Sequence, residues 1–213
     1  MRPAIIFDLD GTLVDSLAGI AASLNAALAK LGLPGHPLER VRRFIGSGAF
    51  MLCRRAIPAE APDSVAREVE RAFKRHYAGT WGEGTRLFPG IDAMIADLST
   101  AGRRLAVLSN KPDAFTREIV EQLFPDRPFG LVRGQVDGFP RKPEPGALDP
   151  ILGSWKITGD QALLVGDSTI DRETAANAGI GFLGVAWGYE SPEGLGSRVA
   201  RSVEDLRSRL ASG

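Results

Sequence analysis

Cysteine, histidine and a surplus of charge of either sign are what this chain of 213 residues lacks. Its one cysteine, Cys53, can form no internal disulfide, which fits a reducing cytosol, and its apolar neighbours mark it as buried filler rather than a reactive thiol. Two histidines, His36 and His76, lie beside no serine or cysteine motif. That disfavours histidine-dependent catalysis and a histidine-rich metal site, and both read as surface residues. Lysine plus arginine number 26, as do aspartate plus glutamate. With no basic excess, nothing favours nucleic acid or an anionic membrane as partner. Long hydrophobic runs are missing too, since Asp8 interrupts the first one, so the expectation is a soluble, cytoplasmic protein with no signal peptide or membrane span. There is no G-x-x-x-x-G-K-[ST] loop, which disfavours a nucleotide-driven kinase, and no internal repeat or low-complexity tract.

What is present begins at Asp8-Leu9-Asp10-Gly11-Thr12, directly after the apolar run Ala4–Phe7. The run reads as an interior strand of a parallel sheet, and the carboxyl ends of such strands are where α/β folds place ligands. Residues i and i+2 of an extended or turning chain point the same way, so two acids at this spacing can address one substrate. Asp8 could attack phosphorus while Asp10 protonates the leaving oxygen and later activates water. Gly11 lets the chain turn, and the amides of Gly11 and Thr12 could then bind phosphate oxygens. Taken alone, the motif reads equally well as an acidic turn.

Three further strand ends narrow the choice. Arg104–Leu108 runs into Ser109-Asn110-Lys111, where a hydroxyl and an amide could hold a phosphate oxygen without adding negative charge. Lys142 stands among stiffening prolines in Arg141-Lys142-Pro143-Glu144-Pro145 and could serve as a fixed counter-charge. Ala162–Val165 leads into Gly166-Asp167-Ser168-Thr169-Ile170-Asp171. Asp167 and Asp171 make sense as a magnesium site shared with Asp8, since Mg²⁺ takes hard oxygen ligands and offsets the repulsion between an anionic nucleophile and an anionic phosphate. Any one segment could be a loop, a surface lysine or a helix cap; four in order at successive strand ends point to one site.

The spacing of these signals sets the organisation. A chain of this length with 44% hydrophobic residues can bury a full core. From Gly90 onward helices and strands alternate, predicting a doubly wound parallel α/β sheet: helices over 91–101, 113–124, 146–152, 171–178 and 203–210, strands over 104–108, 129–133, 162–165 and 182–186. Residues 16–85 show only helical patterns. One helix is capped by Ser16 and runs to Leu31; others carry Val41, Phe44 and Ile45, cover 49–56, and run from Asp63 towards Tyr77. The expected division is an α/β core over 1–15 and 86–213 with an inserted helical cap over 16–85.

Asp8-x-Asp10-Gly11-Thr12, Ser109-Asn110, Lys142-Pro143 and Gly166-Asp167-Ser168-x-x-Asp171 resemble the four motifs of the haloacid dehalogenase superfamily, over nearly the whole chain. Ile45-Gly46-Ser47-Gly48, Phe88-Pro89-Gly90 and Ser109-Asn110-Lys111-Pro112 resemble its phosphoglycolate phosphatase branch. The resemblance implies a Rossmann-like core and an aspartyl-phosphate on Asp8, with Asp10 as general acid and base. It implies Mg²⁺ held by Asp8, the Asp10 backbone carbonyl and Asp167, with Asp171 in support, and Ser109 and Lys142 on the transferred phosphoryl group. It implies a cap that closes over a small phosphorylated metabolite. Asp10 argues against dehalogenating and phosphonate-cleaving members, which lack the second acid.

In the cap, Gly46-Ser47-Gly48 could form an amide-lined loop near a second anion, with Arg54 or Arg55 as charge partners, although arginines on a helix are commonly solvated. Gly179-Ile180-Gly181-Phe182-Leu183-Gly184 matches a dinucleotide-binding pattern, but with helix and strand in the wrong order. Three readings stand at this point: a Mg²⁺-dependent phosphatase of a phosphoglycolate-like metabolite, acting as monomer or homodimer; a phosphomutase; and a non-catalytic phosphate-binding regulatory protein.

Overall fold

Alternation within a fully apolar strand is what places the core on both sides of the sheet. In the computed structural model, which describes residues 4–212, β1 (Ala4–Phe7) is buried throughout. Ile5 and Phe7 pack into one apolar cluster and Ile6 into another on the opposite face, as successive side chains of a strand must. The strands that follow are β2 (Val14–Asp15), β3 (Arg86–Leu87), β4 (Leu105–Pro112), β5 (Leu131–Gln135), β6 (Ala162–Gly166), β7 (Gly181–Val185) and β8 (Val199–Ala200). Six of them form one parallel sheet in the order β5-β4-β1-β6-β7-β8, the doubly wound α/β arrangement.

The register aligns the strand ends. Phe7 pairs with Val107 on one side and Val165 on the other. Asp8 and Asp167, one or two residues further on, therefore leave the sheet at the same level, beside Ser109 on β4, which runs on to Pro112. Helices α5 (Ile91–Thr100), α6 (Asp113–Leu123), α7 (Asp149–Trp155), α8 (Thr169–Asn177) and α9 (Val203–Ser212) connect the strands or close the chain. The glycine-rich stretch at 179–184 runs from the end of α8 into β7, helix first and strand second.

Between β2 and β3 stand four helices, α1 (Leu17–Lys30), α2 (Leu38–Arg42), α3 (Ala49–Arg55) and α4 (Asp63–Thr80). Their apolar faces, including Leu24, Leu28, Leu52, Val69 and Phe73, join the cluster that holds Ile5 and Phe7, so helical segment and sheet share a continuous apolar interior. The segment leaves and returns through a two-stranded antiparallel ribbon, with Val14 opposite Leu87 and Asp15 opposite Arg86. Arg86 Nη2 lies 2.9 Å from Asp15 Oδ2 across it.

Several elements depart from expectation. Neither ribbon strand nor β8 is visible in the pattern, because two residues are too few to alternate. Helix α2 ends at Arg42, leaving Phe44 and Ile45 in the turn that leads to Gly46. The expected helix over 146–152 is a 3₁₀ turn, Pro145–Ala147, followed by α7. Ser16 precedes α1 but does not cap it; its hydroxyl donates to Asp10 Oδ1 at 2.5 Å. His76 is exposed, whereas His36 is half-buried, with Nε2 2.7 Å from the Ala56 carbonyl oxygen and its ring edge-on to Phe44.

Cys53 is fully buried on α3. Burial, with the Glu70 carboxylate nearby and Lys74 only partly opposing, pushes its thiol up to about 12. The thiolate is the reacting form, so a raised pKa means less of it near neutrality. Alkylation of the folded protein by iodoacetamide at about pH 8 is expected to run at least about a hundredfold slower than in denaturant, followed by mass spectrometry.

Candidate active site

Asp8 follows the last residue of β1 and is 8% exposed. Its Oδ1 lies 2.8 Å from Lys142 Nζ, its ion-pair partner. Burial pushes its carboxyl up to about 7; the Lys142 ammonium works against this and Asp171 adds to it. Lys142 Nζ also donates to Asp171 Oδ1 at 2.6 Å, while the Ser168 hydroxyl and amide donate to Asp171 Oδ2 at 2.6 and 3.2 Å. Burial alone would disfavour the ammonium, but Asp171 and Asp8 outweigh it and hold Lys142 charged, above its usual range. Asp171 thus orients Lys142 besides facing Asp8.

Asp10 occupies a different environment. Lys111 Nζ donates to both of its carboxylate oxygens at 3.0 Å, and the Ser16 hydroxyl to Oδ1. Tyr189, on the loop after β7, presents its hydroxyl to the Ser16 amide at 2.7 Å. Burial opposes the Lys111 ammonium, but Asp10 and the Tyr77 phenol prevail and raise its pKa. Two acids two residues apart therefore have separate cations: Lys142 for Asp8, Lys111 for Asp10.

Asp167 Oδ1 accepts from the Thr12 hydroxyl at 3.0 Å and Oδ2 from the Tyr189 amide at 2.7 Å. Burial, then Asp8 and Asp171, push its carboxyl well above the usual range. A Cβ on Gly11, whose φ of +85° also favours glycine, or on Gly188 would collide with the Asp167 carboxylate, so both positions leave room for it. One oxygen each from Asp8, Asp167 and Asp171 lies within 4.8 Å of the others. Asp8, Asp10, Asp167 and Asp171 against Lys111 and Lys142 leave two negative charges uncompensated when all are ionised. An all-oxygen donor set with that deficit fits a hard divalent cation such as Mg²⁺.

The structure brings Asp8, Asp10, Ser109, Asn110 and Lys142 to one small cavity of about 50 Å³ between the sheet and the helical segment, with Gly46 and Gly48 on its wall. Three expectations shift. The Gly11 and Thr12 amides are not free for phosphate: they donate to the carbonyls of Val14 and Leu9 at 2.9 and 3.2 Å, closing the turn, and Thr12 serves Asp167 through its hydroxyl. The Asn110 side chain is fully engaged, donating to the carbonyls of Gly46 and Lys142 at 3.0 and 2.9 Å and accepting from the Lys142 amide at 2.9 Å. It ties the Gly46 loop and the Lys142 loop to β4 instead of reaching for phosphate. Arg55 does not line the cavity; it donates to the Phe44 carbonyl and the Ser47 hydroxyl at 3.0 and 2.9 Å, bracing the loop from behind. Arg54 likewise donates to the carbonyls of Pro58 and Ala59.

Residues given no role in the sequence reading complete the site. Lys111 could have been read as a cation at the same strand end as Ser109. Tyr189, 173 residues from Ser16, and Arg42, which donates to the carbonyls of Gly188 and Tyr189 at 2.6 and 2.9 Å, could not.

Comparison with known proteins agrees with this geometry. The family description "Haloacid dehalogenase-like hydrolase" matches residues 5–185. A phosphoglycolate phosphatase of Rhodospirillum rubrum is 38% identical over 212 residues, covering 96% of this chain and 88% of its own length. One from Photorhabdus laumondii is 34% identical over 195 residues, covering 90% and 83%. A crystal structure from Lactobacillus delbrueckii subsp. bulgaricus, provisionally described as a phosphoglycolate phosphatase, superposes with a TM-score of 0.92 at 29% identity, over 98% of each chain. The chain belongs to the haloacid dehalogenase-like hydrolase family.

Proposed function

We propose that this chain hydrolyses a small phosphorylated, phosphoglycolate-like metabolite through an aspartyl-phosphate on Asp8, with Mg²⁺ as cofactor. The chain is a phosphoric monoester hydrolase, and phosphoglycolate phosphatases are among its relatives. The observation that carries the mechanism is Asp8 Oδ1: a buried carboxylate oxygen paired with a fixed ammonium 2.8 Å away, at the wall of a cavity. The helical segment 16–85 acts as the cap over the 1–15 and 86–213 core, and the cavity at their junction suits one small molecule rather than a polymer. The cytoplasm is the expected compartment; among the described residues no helix is long and apolar enough to cross a membrane.

Asp8 Oδ1 attacks phosphorus while the ester P–O bond breaks, and Asp10 gives its proton to the departing oxygen. Asp10, then a carboxylate, takes a proton from water as that water attacks the aspartyl-phosphate, releasing phosphate and restoring both acids. Lys142 and the Ser109 hydroxyl hold the phosphoryl oxygens. Asp8, Asp167, the Asp10 backbone carbonyl and, directly or through water, Asp171 would hold Mg²⁺, which when bound neutralises charge shared by phosphate and nucleophile. The apolar cap wall keeps other water from the acyl phosphate.

Asp8→Asn is expected to lower phosphate release by at least about 10³-fold and to abolish acid-stable labelling of the protein by a ³²P-labelled substrate. Persistent labelling would remove Asp8 from its role. With p-nitrophenyl phosphate, Asp10→Asn is expected to release a stoichiometric burst of nitrophenol and then stall, because the phenolate departs without an acid while water goes unactivated. Gly188→Ala, which crowds Asp167, is expected to raise the Mg²⁺ concentration for half-maximal activity by about tenfold or more, measured by Mg²⁺ titration.

A further inference from the structure

The cavity has a second polar face that holds neither the phosphoryl group nor the metal ligands. Ile20, Leu52, Phe73 and Phe115 make its walls largely apolar, and two polar groups interrupt them. One is the Tyr77 hydroxyl. Tyr77 is 0% exposed and lines the cavity, and its O–H meets no acceptor among the described residues, since the Lys111 ammonium beside it can only donate. The ring is held by stacking on Phe73, centroids 5.3 Å apart, and by edge contact with Phe115 at 5.2 Å, so the oxygen cannot move away to find one. A buried hydroxyl left unsatisfied is unfavourable and marks a place where a partner is expected. The other group is Lys111 Nζ, 4.7 Å from the centre of that ring. Lys142, the other lysine on the cavity wall, gives two donors to Asp8 and Asp171 and, in the proposed reaction, its third to the phosphoryl group.

The geometry points to Tyr77 and Lys111 as the anchor for a carboxylate on the substrate's leaving group, selecting phosphate esters of short 2-hydroxy acids. The inference rests on the phosphatase reading, in which Asp10 meets the leaving oxygen. Asp10 takes two of the three N–H donors of Lys111, which leaves one for a ligand while Asp10 stays held. With Lys111 3.0 Å from both Asp10 oxygens and Asp10 one hydrogen bond from the leaving oxygen, Lys111 Nζ lies within about 6 Å of that oxygen. A carboxylate on the carbon that bears the ester oxygen fills this interval without further atoms and accepts from both the ammonium and the phenol. The apolar walls offer nothing to the hydroxyls of a sugar phosphate, which would lose their hydration unpaired. Selection for the short acid thus comes from one charged contact on the core side and one hydroxyl on α4 of the cap.

The test is calorimetric titration of the Asp8→Asn protein with Mg²⁺ present, using phosphoglycolate and 2-hydroxyethyl phosphate, which replaces the carboxylate by a hydroxymethyl group. Phosphoglycolate is expected to bind at least about tenfold more tightly. Adding Tyr77→Phe should cut that preference at least about threefold, and adding Lys111→Met should reduce it to within about twofold, with Lys111→Arg restoring part of it. Absence of any preference in the parent protein, or a preference undiminished by Tyr77→Phe, would overturn the anchor. Tyr77→Phe keeps the ring packing, so the question is decided even where Lys111→Met fails to fold. Failure of the phosphatase reading shows elsewhere, as no phosphate release by the unsubstituted protein on any of these esters, whichever way the titrations read.

Discussion

Lys142 is the interaction on which the site depends. Its ammonium, on a side chain 3% exposed, lies within 2.8 Å of Asp8 and 2.6 Å of Asp171, and it works against the burial that pushes the Asp8 carboxyl up. Removing one partner of such a buried arrangement strands the other charges, at a cost of about 3–5 kcal/mol. The surrounding structure is accordingly built to keep Lys142 in place: Asn110 grips its backbone at both the amide and the carbonyl, and Ser168 fixes Asp171. Lys142 arrives on a loop, far in sequence from either acid, so its position is a product of the whole sheet.

The two acids of the first motif show how one fold gives neighbouring carboxylates different surroundings. Asp8 is buried with Lys142 as its charge partner, whereas Asp10 is bound by Lys111 and Ser16. The difference comes from what each meets at successive strand ends, since the residues are the same type and only one residue lies between them. Tyr189 links both halves, its amide on Asp167 and its hydroxyl accepting from the Ser16 amide, while Arg42 of the helical segment holds the carbonyls of the same loop. Asn110 provides a second such link, from β4 to Gly46.

Much of the fold was legible because its signals are local. An apolar run ending in acids or hydroxyls, followed by helical periodicity, is a statement about neighbours in sequence, and β1, β4 and β6 with their helices follow it. The two-residue strands β2, β3 and β8 were not legible, since their existence depends on pairing rather than on pattern. His36 reads as a surface residue until Phe44 and Ala56 fold around it.

For the site, residue type and placement at or near strand ends determined which groups gather: three acids that could hold a metal, a lysine counter-charge, a serine on β4. Tertiary structure alone decided how their hydrogen bonds are spent. The Gly11 and Thr12 amides close a turn, Asn110 becomes a strut and Arg55 a brace, because each found a backbone carbonyl closer than the cavity. The same holds for Lys111 and Tyr77, 34 residues apart in sequence, whose ammonium and ring come within 4.7 Å only when α4 folds down over the end of β4. Chemical identity is carried by the chain residue by residue, but partner choice is a matter of distance, and distance exists only in the folded molecule.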